Sequence, residues 1–392
     1  MSQKQTNLRK DIARLIEEGY EVYIAHNHLI MRGVPYVDST GKIKFGTLVS
    51  TLSGSRTEVE KPDTHVVMFA GEYPCDKNGA PLEKIRNTTK QCAIDEDLTT
   101  NHQFSSKPKS GYIDYYDKMS TYAAIISSPA IAIDSNVTPC TFRVIETADD
   151  STFEYFDNAS ARAGISAISA KLRAKSITII GLGGTGSYVL DFVAKTPVEK
   201  IQLIDGDVFK QHNSFRAPGA ASIDVLRSHP FKVDYLASIY GRMHKGIVTH
   251  SCYITQDNLE LLQGQDMVFL CIDAKSIKAS IIETLEEQGI PFIDVGMGVE
   301  VVNDGLTALL RTTTSTSGHR SHVHDKNRVP MTDTEGDNVY AQNIQISELN
   351  AMNACLAVIR WKKMCGFYRD LEGEFYSLYA LESNQIINED DQ

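Results

Sequence analysis

Ser176–Asp207, SITIIGLGGTGSYVLDFVAKTPVEKIQLIDGD, is the stretch that decides how this chain folds. Ile177 to Ile180 are apolar and rich in β-branched side chains, the composition of a short buried strand. Gly181, Gly183, Gly184 and Gly186 follow at once, and Ser187 to Lys195 has the spacing of a helix. A second apolar strand, Lys200 to Ile204, ends in Asp205. Strand, glycine turn, helix and strand make half of a nucleotide-binding βαβ unit. Glycines let backbone come close to phosphate oxygens, and the free N–H groups and dipole at a helix start favour an anion there. A carboxylate closing the second strand is placed to accept bonds from ribose hydroxyls. Gly-x-Gly-x-x-Gly by itself fits a dinucleotide and another nucleotide about equally, so the surrounding residues have to discriminate.

The 392 residues suffice for two domains with real cores or one large one, and 42% hydrophobic with 23% charged residues is ordinary for a globular protein. A net charge of −11 argues against a general nucleic-acid binder or a binder of acidic membranes. No run approaches the roughly 18 apolar residues of a membrane span. The opening MSQKQTNLRKD has no apolar core of a signal peptide, so the expected compartment is the cytoplasm. Cys75, Cys92, Cys140, Cys252, Cys271, Cys355 and Cys365 are scattered without a Cys-x-x-Cys pair, which fits a reducing compartment and supports no structural zinc site.

Residues 1–150 read as a separate, smaller α+β domain. Leu8, Ile12, Leu15 and Ile16 share one face of a helix that Thr6 or Asn7 would cap and that ends near Gly19. Alternating segments at Tyr20–Ile24, His28–Met31, Ile43–Leu52 and His65–Phe69 predict an antiparallel meander. Pro74–Lys109 is polar and reads as a long surface excursion. Tyr115–Ser127 returns to helical spacing, Pro129 is expected to stop it, and Thr141–Ile145 reads as a last strand. His26 and His28 read as strand-edge polar residues rather than metal ligands, and Cys75 as an ordinary thiol rather than an exposed nucleophile. With no catalytic spacing, this domain is expected to be a recognition module.

Asp149-Asp150-Ser151 marks the boundary to a second domain, residues 151–392. Ser160–Ala174 predicts a helix with Ile165, Ile168 and Leu172 on one side, and Arg162 lies near its start. After Asp205 come Asp207, then Asn213 and Arg216, then Lys232 at the head of a helix, then an apolar strand, Met267–Ile272, closing on Asp273. In an open parallel sheet ligands bind beyond the carboxyl ends of the strands, so these groups converge on one crevice. Carboxylates and cations together over a phosphate loop suit Mg²⁺ and a triphosphate.

The ordered set Gly-x-Gly-Gly-x-Gly-Ser, Asp-x-Asp, Asn-x-x-Arg, Lys and strand-closing Asp resembles the adenylation domain of ubiquitin-activating (E1) enzymes and their ThiF/MoeB relatives. The resemblance covers about residues 160–370 and implies a Rossmann-like α/β domain with a mostly parallel sheet. The N-terminal part looks like the extra domain on some bacterial E1-like proteins encoded beside ubiquitin-like partners. The resemblance implies ATP-dependent adenylation of the C-terminal glycine of a ubiquitin-like or sulfur-carrier β-grasp protein. Gly181, Gly183, Gly184, Gly186 and Ser187 would hold the nucleotide with Asp205, the ribose carboxylate, and Asp207. Asn213, Arg216 and Lys232 match the positions that hold phosphates, and Asp273 matches the Mg²⁺ ligand. Arg162 is the candidate for an arginine supplied across a homodimer, and an E2-like protein is the plausible acceptor.

Two positions depart from the family pattern: Ala217 stands where Gln is common and Ala274 where Asn is. They keep a non-catalytic E1-like scaffold as one alternative, and an NAD(P)-dependent oxidoreductase, favoured by the bare glycine fingerprint, as another. The expected crossover segment, Thr312–Asn343, has no cysteine, so thioester formation finds little support. Cys355 reads as a buried thiol and Cys365, at the end of the helix Ile346–Met364, as an exposable one. His319, His322 and His324 read as part of a polar loop rather than a metal site, and Glu389-Asp390-Asp391 as a solvated tail.

Overall fold

The computed structural model describes residues 9–53, 59–94, 98–143, 152–155, 157, 160, 165–331 and 344–389. The chain divides into two units, Met1–Ser151 with Tyr155–Ala167 and Thr152–Glu154 with Ile168–Gln392.

In the first unit, helix α1 (Lys10–Glu17) buries Ile12, Leu15 and Ile16, the predicted face. The predicted caps, Thr6 and Asn7, lie outside the described residues, and Arg9 occupies the N-cap without a side-chain bond. Strands β1 (Glu21–Ala25) and β2 (His28–Val37) follow, joined by His26 and Asn27, whose φ values are 46° and 58°. Two consecutive left-handed residues match the right-handed twist of a hairpin, so these positions serve the turn. With β3 (Ile43–Thr51) and β4 (Val66–Ala70) they form the expected meander.

The excursion expected at Pro74–Lys109 instead contains β5 (Arg86–Ala93) and β6 (Thr99–Ser105), giving the order β1-β2-β3-β4-β6-β5. β5 is exposed along its whole length, so no apolar alternation marks it, and in β6 only Thr100 and Phe104 are fully buried. Backbone pairing, rather than side-chain burial, makes these residues strands. Cys75 is buried, and burial pushes its thiol pKa up, so it is no exposed nucleophile.

Helix α2 (Tyr115–Ile133) starts on the Asp114 side chain, which accepts the Asp117 N–H, and continues through Pro129 instead of stopping there. Proline costs the helix one hydrogen bond four residues back. Ala130 is nevertheless fully buried, and its carbonyl accepts the Asp134 N–H, which closes the last turn. Residues 141–143 form no strand; Cys140 makes one isolated bridge to Tyr20, and residues 144–151, with the predicted boundary at Asp149–Ser151, are not described.

Of the helix expected at Ser160–Ala174, residues 161–164 lie outside the described residues; Ser166–Ser169 form one helical turn and Ala170–Leu172 a 3₁₀ turn, with Leu172 buried and Ile168 39% exposed. Then come β7 (Ile177–Ile180), α3 (Gly184–Val193), β8 (Ile201–Ile204), α4 (Gln211–Ser214), α5 (Ile223–Ser228), α6 (Lys232–Tyr240), β9 (Ile247–His250), β10 (Met267–Leu270) and α7 (Lys275–Glu287). β11 (Phe292–Val302), β12 (Gly305–Ser315), α8 (Ser321–Asp325), α9 (Ser347–Met364), β13 (Tyr376–Ala380) and β14 (Gln385–Asn388) complete it. The sheet order is β14-β13-β12-β11-β10-β7-β8-β9, parallel from β9 to β11 and antiparallel beyond. One face packs residues of α3, α6 and α9 and the other packs α7, so this is a Rossmann-like α/β domain preceded by an α+β unit. β7 pairs with both β8 and β10, which puts the reversal of strand order at the end of β7, where open α/β sheets bind ligands.

Thr312–Ser315, expected in the crossover segment, completes β12, because its β-branched threonines pair with β11 and β13. The three histidines go to three different partners. His319 stacks on Phe375 at 4.4 Å, buried His322 bonds the Thr314 carbonyl and Arg328, and His324 pairs with Glu286 at 2.8 Å. Glu389, expected in a solvated tail, reaches the buried Arg328 at 3.3 Å directly after β14. No helix of the described residues is long and apolar enough to cross a membrane.

Lys118 of α2 is fully buried, donating to Ser50 Oγ at 2.9 Å and the Thr64 carbonyl at 2.8 Å, and burial lowers its pKa to about 8. An unfolded lysine titrates near pH ~10.4. Between about pH 8 and 10 the unfolded chain therefore holds a proton that the folded one sheds, and stability rises with pH. Lys118→Met is expected to be more stable than wild type at pH 8, with the gap narrowing by about 2 kcal/mol toward pH 10. Urea unfolding of the full chain followed by circular dichroism measures this, and a pH-independent gap contradicts it.

Candidate active site

The glycine turn is built by sterics. Gly181 has φ +86°, and a Cβ on it would lie 2.5 Å from the Cys271 carbonyl oxygen. A Cβ on Gly186 would lie 1.8 Å from the Gly181 carbonyl oxygen, and one on Gly184 would lie 2.3 Å from the Asn350 side chain. These glycines therefore let α3 start directly against β7, β10 and α9. Gly183, the N-cap of α3, differs: a Cβ there meets nothing within 4 Å. Its backbone faces open space at a helix start, the geometry an anion requires.

Asp205 ties the end of β8 to this turn. Its carboxylate accepts the Leu182 N–H at 2.6 Å and the Asp207 N–H at 2.8 Å and is largely buried. An ionised carboxylate has about four acceptor sites, so capacity for ribose hydroxyls remains. Lys232, at the start of α6, is buried and places Nζ 2.6 Å from Asp207 and 3.5 Å from Asp205. Burial opposes the charge on Asp207, but bonds from Lys232 and Tyr253 outweigh it and hold the carboxyl below its usual range.

Asn213 of α4 is buried; its Oδ1 accepts the Lys210 N–H at 2.8 Å, and its Nδ2 has no partner. Arg216 also keeps a buried Nε without a partner. Burial lowers the Arg216 pKa, while Asp273 and Asp207 act to raise it, which brings the strand-end Asp273 into the cluster. His212 is lowered by burial and by Arg216, Lys210 and Lys232. Buried donors without acceptors are costly. Asn213 Nδ2 and Arg216 Nε therefore suit an anionic, acceptor-rich ligand such as a phosphate. Asp273 is exposed, as an ion-facing carboxylate must be. Among the described residues no group of three His, Cys, Asp or Glu could hold a metal, yet Mg²⁺ is commonly bound by one or two carboxylates with substrate phosphates.

Ser187 does not join the cluster: its hydroxyl is buried and donates to the Gly184 carbonyl at 2.7 Å, stabilising the first turn of α3. Arg162 lies outside the described residues. Ala217 is buried and Ala274 is the exposed N-cap of α7. Cys355 and Cys365 are both half-buried, and burial pushes both thiols up, away from nucleophilic thiolate.

Three features escaped the sequence reading. Asn350 of α9 packs against Gly184 and accepts the Thr185 hydroxyl at 2.9 Å. Tyr253 donates its hydroxyl to Asp207. Asp294, fully buried in β11, pairs with Lys278 at 2.7 Å and with Arg311. A charge inside the apolar run PFIDVGM was the available signal for this last group.

Fold and site together define a Rossmann-like α/β domain with a glycine turn at the start of α3. The chain belongs to the ThiF family, which matches residues 157–381, and residues 10–158 match a domain of unknown function, DUF6791. Over 126 residues it is 25% identical to the adenylyltransferase and sulfurtransferase UBA4 of Yarrowia lipolytica, a match covering 31% of each chain. The chain thus spans about a third of the length of this relative. Among solved structures, PaaA aligns at 16% identity with a TM-score of 0.42, covering 57% of this chain and 75% of PaaA. E. coli MccB with ATP aligns at 17% identity with a TM-score of 0.43, covering 58% of this chain and 66% of MccB.

Two glycines separate folding from binding. Gly186→Ala drives a methyl into backbone and is expected to cost at least about 2 kcal/mol, lowering the melting temperature by roughly 4–8 °C. Gly183→Ala is expected to melt like wild type and to lose ATP affinity. Calorimetry and thermal melts read both, and retained ATP binding by Gly183→Ala would contradict the assignment of the phosphate site.

Proposed function

We propose that the chain is an E1-like adenylyltransferase, activating the C-terminal glycine carboxylate of a ubiquitin-like or sulfur-carrier β-grasp protein with ATP. The observation that carries this reading is the pair of unpartnered buried donors, Asn213 Nδ2 and Arg216 Nε, in the cluster that Arg216 forms with Asp207 and Asp273. Membership of the ThiF family and the name of the Yarrowia relative support it.

In the proposed reaction a carboxylate oxygen forms a bond to the α-phosphorus of ATP, and the bond from that phosphorus to pyrophosphate breaks. A carboxylate is a weak nucleophile approaching a polyanion, so catalysis consists mainly of positioning and charge neutralisation. Asn213, Arg216 and Lys232 hold the phosphates and offset charge on the departing pyrophosphate. Asp205 accepts from the ribose, and Asp207 keeps Lys232 in place. Asp273 would hold Mg²⁺, which supplies further neutralisation of the phosphates.

In this reading the first unit, up to about residue 150, would dock the modifier or an E2-like acceptor of a bacterial-type, cytoplasmic conjugation pathway. Arg162 would complete the site across a homodimer. The raised thiols of Cys355 and Cys365 favour adenylation without a thioester. A nicotinamide dinucleotide also offers phosphates to Asn213 and Arg216 but would leave Asp273, the residue suited to a metal, unexplained. Ala217 and Ala274 are what favours a second reading, a non-catalytic scaffold that captures the same modifier.

ATP–pyrophosphate exchange tests the proposal. Exchange is expected only with a β-grasp protein ending in glycine, and Arg216→Ala and Asp273→Ala are each expected to lower it about 100-fold or more. Asp273→Ala should retain modifier binding. Wild-type exchange in Asp273→Ala would refute the metal assignment, and ATP binding with no exchange for any such protein would favour the scaffold.

A further inference from the structure

Tyr253 is the aromatic side chain whose exposure the fold does not explain. It follows β9, next to β8 in the sheet, and is 61% exposed. Exposed tyrosines are ordinarily free to rotate, but this one is fixed at three points. Its hydroxyl donates to Asp207. Its carbonyl accepts the Asn258 Nδ2 at 2.9 Å, within a capping box in which Thr255 and Asn258 bond each other's backbone. Its ring packs against Gly206, where an added Cβ would sit 2.8–2.9 Å from ring carbons. The glycine between Asp205 and Asp207 thus makes room for this ring.

A flat ring packed on main chain, clamped at its hydroxyl and still 61% exposed can serve as a stacking platform. It stands beside the carboxylate assigned to the ribose, and a nucleobase is joined directly to that sugar. Aromatic faces bind bases by stacking, worth about 1–3 kcal/mol per base. We infer that Tyr253 is the platform on which the base of the bound nucleotide stacks. The inference rests on the proposed nucleotide site and adds a residue outside the glycine, carboxylate and cation set. It assigns the hydroxyl bond to Asp207 the role of orienting the ring, so affinity comes from the ring face.

Calorimetry on the full chain with two probes, ATP and inorganic tripolyphosphate, tests this. Tripolyphosphate carries the charge without the base. Tyr253→Ala is expected to weaken ATP at least roughly five-fold and leave tripolyphosphate unchanged, while Tyr253→Phe binds ATP within about two-fold of wild type. Tyr253→Ala with wild-type ATP affinity would overturn the inference. So would an equal loss for both probes, which would mean that Tyr253 acts through Asp207 and Lys232 on the phosphates. If wild type binds tripolyphosphate but not ATP, or neither, the nucleotide site itself fails, an outcome distinct from either variant result.

Discussion

The hydrogen bond from the Leu182 N–H to the Asp205 carboxylate joins two parts of the second unit that the sequence keeps apart. It binds the turn after β7 to the end of β8, the next strand in the sheet. That closeness depends in turn on Gly181 and Gly186, whose Cα atoms press against carbonyl oxygens where no side chain fits. Once the turn is locked, α3 starts on the crevice side of the sheet and offers its first N–H groups to whatever lies there. Asp205 also receives the Asp207 N–H, and Asp207 fixes Lys232. One carboxylate thus orders the turn, the next acidic residue and, through it, a buried cation.

Charge balance gives the site its direction. Lys232 is neutralised within the protein, but Arg216 is partly desolvated, and its pKa is lowered despite Asp273 and Asp207. Desolvated guanidinium and amide donors gain more from a phosphate than water-exposed ones would. On β11, buried Asp294 serves two cations at once, Lys278 of α7 and Arg311 of β12. Burying such ions is favourable only when they are paired.

What could be read from the sequence follows the strength of local constraint. The turn after β7 was legible because glycine at Gly181 and Gly186 is demanded by contacts, and β1 to β4 because each carries a run of buried apolar residues between turn signals. β5 was not, since its side chains are exposed on both faces and only its backbone is committed. Pro129 misled because burial of Ala130 and the Asp134 bond carry α2 past it. In the site, Asp205, Asp207 and Lys232 follow one another closely enough in the chain for their order to be read. Tyr253 and Asn350 reach the same crevice from β9 and α9, and nothing local to their positions announces it. Ser187 failed for the opposite reason: its place in the motif was clear, but its hydroxyl bonds its own helix.

The first unit has its own core, in which α2 packs Tyr115, Met119, Tyr122 and Ile126 against the sheet. Arg9 and Asp11 pair at 2.9 Å in its interior, and Lys118 bonds neutral acceptors. The proposal places catalysis in the second unit, and the most direct measurement is a crystal structure of the full chain with a non-hydrolysable ATP analogue. The account predicts phosphates against the Gly181–Gly186 backbone, within hydrogen-bond distance of Asn213 Nδ2 and Arg216 Nε, and ribose hydroxyls on Asp205. A triphosphate bound elsewhere, or one that leaves both of those donors unpaired, would contradict it.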